Sequence, residues 1–397
     1  MTFDSFNFPP QILKALAAAG YIEPTPIQSK AIPKILRGFD IRASAQTGTG
    51  KTGAFLLPTL SRLTAPSPKP GKGPRLLILV PTRELAMQVE QQTLKYSRFL
   101  PHLKSACVVG GVPYSAQLRK LSKPCDILIA TTGRLIDFMG RSKIDFSRLE
   151  MLVLDEADRM LDMGFLEPVE QIISKMPSER QTLLFSATLQ GSVKTLSEKL
   201  LNNPMDIVIH QEKANHEQIS QTLYYTDGLE HKNRLLDHIL KMEGVDRIIV
   251  FTSTKRHADE LTDDLLAKGH RAAVLHGDMR QRQRTRTLAQ MKQGEIKVLV
   301  ATDVASRGID VEAISHVINF DLPRSPEDYV HRIGRTGRAG AKGSALSFAS
   351  NRDNFLVKKI ESYTGQKISP SVIEGLSPKK KFNAPQRKRF SRSRERR

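Results

Sequence analysis

The sequence predicts an α/β fold repeated in two tandem halves, each a mostly parallel doubly wound sheet with helices on both faces. Three observations predict it. Short apolar runs recur at the length of buried parallel strands. Helix-period stretches such as 12–19, 83–94 and 258–268 lie between them, and strand–helix alternation implies this layering. Nearly every run ends in a polar cluster, and open parallel sheets bind ligands beyond the carboxyl ends of their strands.

Taken in order, the first half has strand candidates at 76–80, 127–130, 151–154 and 183–185, which lead into PTRE, TTGR, DEAD and SAT. The second half has 248–251, 272–275 and 298–301, leading into TST, HGD and TDVASRG, then 317–320 and 345–348. Residues 66–74, PSPKPGKGP, read as a surface loop. The polar mixture around 209–220 reads as a linker between a domain at 1–208 and one at 221–370. Residues 371–397 read as a basic tail. From Ser377 onward it holds ten Lys or Arg and one Glu, a composition expected to be disordered.

Sixty-one Lys and Arg against 41 Asp and Glu give +20, which favours a polyanionic partner, nucleic acid ahead of an anionic membrane. Two cysteines, Cys107 and Cys125, exclude a disulfide framework and lack metal-ligand spacing. No apolar run approaches the roughly 18 residues of a membrane span. The N-terminus, MTFDSFNFPP, lacks the pattern of a secretory leader, so a cytoplasmic protein is expected.

Two clusters carry chemistry. Residues 45–52, AQTGTGKT, have the form of a phosphate-binding loop, with Ala45 where the strict pattern has Gly. Its backbone N–H groups (Ala45, Gln46, Thr47, Gly48, Thr49, Gly50) would wrap phosphates. Lys51 would neutralise β- and γ-phosphate oxygens, and Thr52 would hold Mg²⁺. Asp155 follows an apolar strand and suits the same Mg²⁺, while Glu156 suits positioning the attacking water. Alone, DEAD reads better as a solvated acidic helix start than as a metal site.

The order of motifs across residues 3–349 resembles that of the DEAD-box ATP-dependent RNA helicases, most closely the bacterial RhlE-like group. GYIEPTPIQ (20–28) resembles the Q motif, with Phe3 as its isolated upstream aromatic. PTRELA, the pair Gly110 and Gly111, and TTGR (131–134) resemble the motifs called Ia, GG and Ib. SAT (186–188), ATDVASRGID (301–310) and HRIGRTGR (331–338) resemble motifs III, V and VI. Two positions depart from the pattern: Thr132 stands where Pro is usual, and Arg42 where an apolar strand residue is usual.

The resemblance implies two RecA-like domains, ATP and Mg²⁺ as cofactors, and RNA as partner. Gln28 would read adenine N6 and N7 by its amide, with Tyr21 and Phe3 packing the base; core packing is the other reading for both rings. Arg335 and Arg338 would act as arginine fingers. His331, Ser186, Thr188 and Asp158 would couple nucleotide state to RNA, and Asp310 would contact ribose. Thr82, Arg83, Gly110, Gly111, Thr131 and Arg134, with Gln281, Arg284 and Thr302 in the second half, would contact RNA backbone. Aromatic residues are 6% of the chain and there is no Trp, which argues for sequence-tolerant binding. A monomer acting on single-stranded and short duplex RNA is expected, with ribosomal particles or RNA-decay proteins as candidate associates. Two other readings stay open: an RNA clamp that does not unwind, and a motor acting on DNA or protein.

Overall fold

The structure, a computed structural model, describes residues 2–45, 48–71, 73–141, 143–209, 219–303, 314–337 and 343–379. The chain divides into two compact units, residues 1–213 with 307–309, and 214–306 with 310–397. Each is built on a parallel sheet.

In the first unit the strands are β1 (Ile41–Ser44), β2 (Leu76–Val80), β3 (Ser105–Val108), β4 (Ile127–Thr131), β5 (Met151–Leu154), β6 (Gln181–Ser186) and β7 (Met205–Val208). Their order is β3-β4-β2-β5-β6-β1-β7. Between them run helices α1 (Pro10–Ala18), α2 (Pro26–Leu36), α3 (Lys51–Leu63), α4 (Arg83–Tyr96), α5 (Tyr114–Leu121), α6 (Thr132–Gly140), α7 (Ala157–Asp162), α8 (Leu166–Ile173) and α9 (Ser192–Leu200).

The central strands are buried on both faces, as their unbroken apolar runs require. Along β2, Leu76, Ile78 and Val80 enter one core while Leu77 and Leu79 enter the other. β1 is different, because Arg42 interrupts it. Ile41 and Ala43 are buried, and Arg42 faces its cross-strand neighbour Asp206 on the edge strand β7. Arg42 Nε and one terminal nitrogen donate to the two Asp206 carboxylate oxygens, each at 2.7 Å, and a third bond reaches Ser197 Oγ at 3.2 Å. A charged residue is thus accommodated in β1 by the edge pairing.

The second unit has β8 (Ile219–Tyr225), β9 (Ile248–Phe251), β10 (Ala272–Leu275), β11 (Val298–Ala301), β12 (His316–Asn319), β13 (Gly343–Ala349) and β14 (Ser369–Ser371), in the order β10-β11-β9-β12-β13-β8-β14. Its helices are α10 (Leu229–Leu240), α11 (Lys255–Ala267), α12 (Gln281–Gln293), α13 (Pro326–Ile333) and α14 (Asn354–Thr364). β8 begins inside the stretch expected to be linker. The fold also runs past residue 370. β14 pairs with β8, Ile373 and Leu376 pack on the core, and the Lys379 N–H donates to Asp227 Oδ2 at 2.6 Å. The basic stretch beyond 379 lies outside the described residues.

Several helices begin with a hydroxyl cap directly after a strand. Thr82, Thr254 and Ser325 each accept a first-turn N–H, from Leu85, His257 and Asp328. Such caps satisfy donors that a helix start otherwise leaves open, and they set where the chain turns at the carboxyl edge.

Candidate functional site

Strand order sorts the first unit's motifs into two groups. β5, β6 and β1 are consecutive in the sheet and carry DEAD, SAT and the phosphate loop at their carboxyl ends. β3, β4 and β2 are also consecutive and carry Gly110–Gly111, TTGR and PTRE. One half of the edge holds the residues expected to handle phosphate, and the other half those expected to handle RNA.

In the phosphate group, α3 starts at Lys51, which is 7% exposed. Gly48 and Gly50 have φ of 85° and 93°, a conformation that glycine alone adopts without strain. Ala45 is buried and its N–H donates to Ser186 O at 3.0 Å, tying the loop's first residue to β6. Thr49 and Thr52 lie partly exposed beyond it. Gln46 and Thr47 lie outside the described residues. A helix N-terminus with its lysine is a phosphate-binding arrangement.

Gln28 sits against this loop. Its Nε2 donates to Gly50 O at 3.0 Å and its Oε1 accepts the Thr25 N–H at 3.0 Å. A Cβ on Gly50 would stand 2.7 Å from Nε2, and one on Gly53 would stand 2.6 Å from it. The glycines on either side of Lys51–Thr52 therefore make room for the amide. Tyr21 is 39% exposed, its ring 5.9 Å from Tyr96 with Lys95 Nζ 4.7 Å above it. Phe3 is 5% exposed and packs on Phe6 in the first core, so of its two readings the geometry matches core packing.

Asp155 is 2% exposed at the end of β5, and its carboxyl accepts the Glu156 N–H at 2.9 Å. Burial pushes its pKa up to about 6. Lys51 and the Glu156 N–H pull the other way, and the charges of Glu156 and Asp158 add to the rise. A carboxylate held against such a gradient suits a bound dication. Thr52 and Asp155 offer hydroxyl and carboxylate oxygens, the donor chemistry Mg²⁺ takes, and would be the residues to hold it. Among the described residues no cluster of three His, Cys, Asp or Glu side chains could hold a metal.

Glu156 takes φ 53°, an unusual left-handed conformation for a residue with a side chain, and is 8% exposed. Asp158 binds the next strand's loop: Oδ2 accepts the Ala187 N–H at 3.1 Å, and Oδ1 accepts that of Arg159 at 3.1 Å. Ser186 Oγ accepts the Thr188 N–H at 3.3 Å, and Ser44 Oγ donates to Ala187 O at 3.0 Å. DEAD, SAT and the strand before the phosphate loop are thus one hydrogen-bonded unit. Sequence reasoning did not single out Ser44, and a lone serine in a strand gives no signal.

In the other group, Thr82 caps α4 and Arg83 packs beneath Gly110, where a Cβ would come 2.9 Å from its guanidinium. Gly111 has φ 76° and is exposed. Thr131 is partly buried as the N-cap of α6, and Arg134 donates to Val112 O at 3.0 Å. Thr132, the first residue of α6, is 1% exposed and its Oγ1 has no hydrogen-bond partner.

In the second unit, Gln281, Arg284 and Thr302 are 6%, 4% and 8% exposed. Arg284 donates to His276 O at 2.8 Å, and the Thr302 N–H reaches Leu275 O at 3.3 Å, so these residues brace the ends of β10 and β11. His331 is partly buried at the last turn of α13, and Arg335 follows at 7% exposure, its N–H donating to Arg332 O at 3.0 Å. Arg332, which the motif reading passed over, is the pivot. Its guanidinium donates to both Asp303 oxygens at 2.6 and 2.7 Å and to Asn319 Oδ1 at 3.1 Å, and lies 4.8 Å over the Phe251 ring. It joins the start of motif V to the helix carrying motif VI. Asp310 and Arg338 lie outside the described residues.

Comparison with known proteins gives a consistent answer. Residues 25–196 match the family model of the DEAD/DEAH box helicases, and residues 231–340 that of the helicase conserved C-terminal domain. The ATP-dependent RNA helicase SrmB of Haemophilus influenzae is 45% identical over 381 residues, 96% of this chain and 86% of that protein. The ATP-dependent RNA helicase RhlB of Aliivibrio fischeri is 42% identical over 392 residues, 97% and 90% of the two chains. S. cerevisiae Dbp5 bound to RNA and ADP BeF3 superposes with a TM-score of 0.81 at 30% identity, covering 93% of this chain and 95% of that one.

Proposed function

Because the chain belongs to the DEAD/DEAH box helicase family, we propose that it is an ATP-dependent RNA helicase. It couples RNA-stimulated ATP hydrolysis to local, non-processive unwinding or remodelling of RNA duplexes and RNA–protein complexes. The observation that carries this reading is the sorting of motifs along the first sheet, with a phosphate loop, paired acids and SAT on β5-β6-β1 and surface glycines and arginines on β3-β4-β2. Asp158 and Ala187 support communication within the nucleotide half, since a shift at DEAD moves SAT through one hydrogen bond.

Lys51 and the start of α3 bind the β- and γ-phosphates, and Gln28 with Tyr21 takes the adenine. Thr52 and Asp155 would hold Mg²⁺, which supplies neutralising charge on phosphate oxygens. Glu156 orients the attacking water and accepts its proton. Arg335 and Arg338 stabilise charge on the transferred phosphoryl group. RNA backbone lies on Gly110–Gly111, Thr131 and Arg134, with Thr302, Gln281 and Arg284 serving it from the second unit. Within the family we place the chain near the RhlE-like group on its motif spelling. We place it in the cytoplasm as a monomer working on ribosomal particles or with RNA-decay proteins; its charge of +20 suits the RNA in such partners.

The test is displacement of one strand from a short RNA duplex. Release that needs ATP supports a helicase. Retained RNA-stimulated hydrolysis with no release would replace it with an ATP-gated RNA clamp.

A further inference from the structure

α5 starts at Tyr114, after Gly110, Gly111, Val112 and Pro113, and its one fully buried side chain is an amide, Gln117, 3% exposed. A surface helix ordinarily buries an apolar stripe. Burying an amide is costly unless its donors and acceptor are satisfied. Here one loop satisfies them. The Val109 N–H donates to Oε1 at 2.7 Å, and Nε2 donates to Val109 O at 3.1 Å and Val112 O at 3.0 Å. The amide therefore grips the residue before the glycine pair and the residue after it. Arg134 donates to the same Val112 carbonyl from α6.

α5 is also fixed to α6. The Tyr114 ring stacks on Phe138 at 4.4 Å and 13°, and the Arg141 guanidinium lies 4.6 Å over Tyr114. A turning backbone with successive N–H groups makes an anion-binding concavity only if its dihedral angles are held. Glycine supplies no side chain to hold them.

We propose that Gln117 is a positioning residue for RNA: its amide sets the Gly110–Gly111 turn so that the turn's N–H groups meet a phosphate, and the Tyr114 stack keeps that turn in register with the start of α6. The proposal rests on the reading of this face as the RNA side.

The test uses the full chain with Gln117→Met, which keeps volume, and Gln117→Glu, which keeps the acceptor and loses the Nε2 donors. ATPase is measured against single-stranded RNA concentration at several salt concentrations, alongside binding of a fluorescent ADP without RNA. Both variants should bind ADP as the parent does and reach a similar kcat at saturating RNA. Half-saturation should need about tenfold more RNA, roughly the worth of one hydrogen bond to a phosphate. The slope of log affinity on log salt should stay near the parent's for Gln117→Met, because the turn's N–H groups are uncharged and release no counterions, whereas loss of a Lys or Arg contact would flatten it. Should Gln117→Met not fold, Gln117→Glu carries the same readout. Unchanged half-saturation, or ADP affinity falling in parallel, overturns the proposal. A parent chain whose ATPase ignores RNA overturns the RNA reading as well, whereas a responsive parent matched by both variants overturns the positioning role of Gln117 alone.

Discussion

Glu156 shows how much one backbone angle does. Its left-handed φ turns the chain out of β5 at once, so that two adjacent carboxyls come to one place while the strand stays buried. Strain at a residue with a side chain persists where surrounding structure over-determines it. Glu156→Gln keeps that geometry and removes the base. Turnover should fall about 10²- to 10⁴-fold with nucleotide affinity nearly unchanged, as read by single-turnover hydrolysis beside ADP binding; near-normal turnover would remove Glu156 from its role. Gly53 makes a complementary case. A methyl group there meets Gln28 Nε2 at 2.6 Å, and Tyr96 Oη at 3.4 Å blocks retreat on one side. Gly53→Ala should weaken binding of a fluorescent ADP by roughly tenfold or more, since about 1.4 kcal/mol is a factor of ten, and unchanged affinity would show that the amide moves freely.

At the scale of elements, two departures from family spelling have different physical outcomes. Arg42 is absorbed by Asp206 on the edge strand. Thr132 is not absorbed: it occupies the first position of α6 with a buried hydroxyl that bonds to nothing. Proline suits that position, and Thr131 already holds the extended conformation a following proline demands. Thr132→Pro should stabilise the first unit by about 1 kcal/mol, seen as a Tm rise of about 2–4 °C; a lower Tm would mean the hydroxyl is satisfied after all. In the second unit Asp321 joins α10 to α11. Burial alone would raise its pKa, but His257, Lys232 and the Ser253 N–H outweigh it and hold the carboxyl well below the usual range. A depressed folded pKa contributes stability above the unfolded value, near 3.8, and that stability is lost as pH falls through the folded value. Asp321→Asn should therefore cost on the order of 2 kcal/mol at pH 7, and its deficit should shrink below about pH 4 in thermal unfolding followed across pH.

The same elements show what a sequence can and cannot display. Buried central strands such as β2, β5, β9 and β11 were legible to the residue, because burial on both faces forces an unbroken apolar run. β3, β8 and β14 were not, since an edge strand or its neighbour mixes polar residues into the pattern, and β1 was marked only by the family pattern because Arg42 interrupts its apolar run. The family was legible because the spacing of its motifs is set by phosphate chemistry. Gln117, Ser44 and Arg332 were not, because their partners are backbone groups and side chains brought close only by strand order.

For the whole molecule, charge and fold act on separate tasks. The two units carry the motifs assigned to ATP chemistry and proposed to contact RNA backbone, while residues 380–397 hold nine Lys or Arg against Glu395. Such a segment adds affinity without sequence preference by releasing counterions. Deleting 380–397 should weaken RNA binding and flatten its salt dependence while leaving ATPase at saturating RNA near the parent value; an unchanged slope would make the segment a solubilising extension. On the proposed function, hydrolysis waits for RNA and is completed by arginine from the second unit. ATPase of the purified chain, with and without single-stranded RNA, for the parent and for Arg335→Ala, tests it most directly. RNA should stimulate the parent strongly, and that stimulation should fall by about 10³-fold or more in the variant. Equal rates with and without RNA, or an Arg335→Ala chain as fast as its parent, would contradict it.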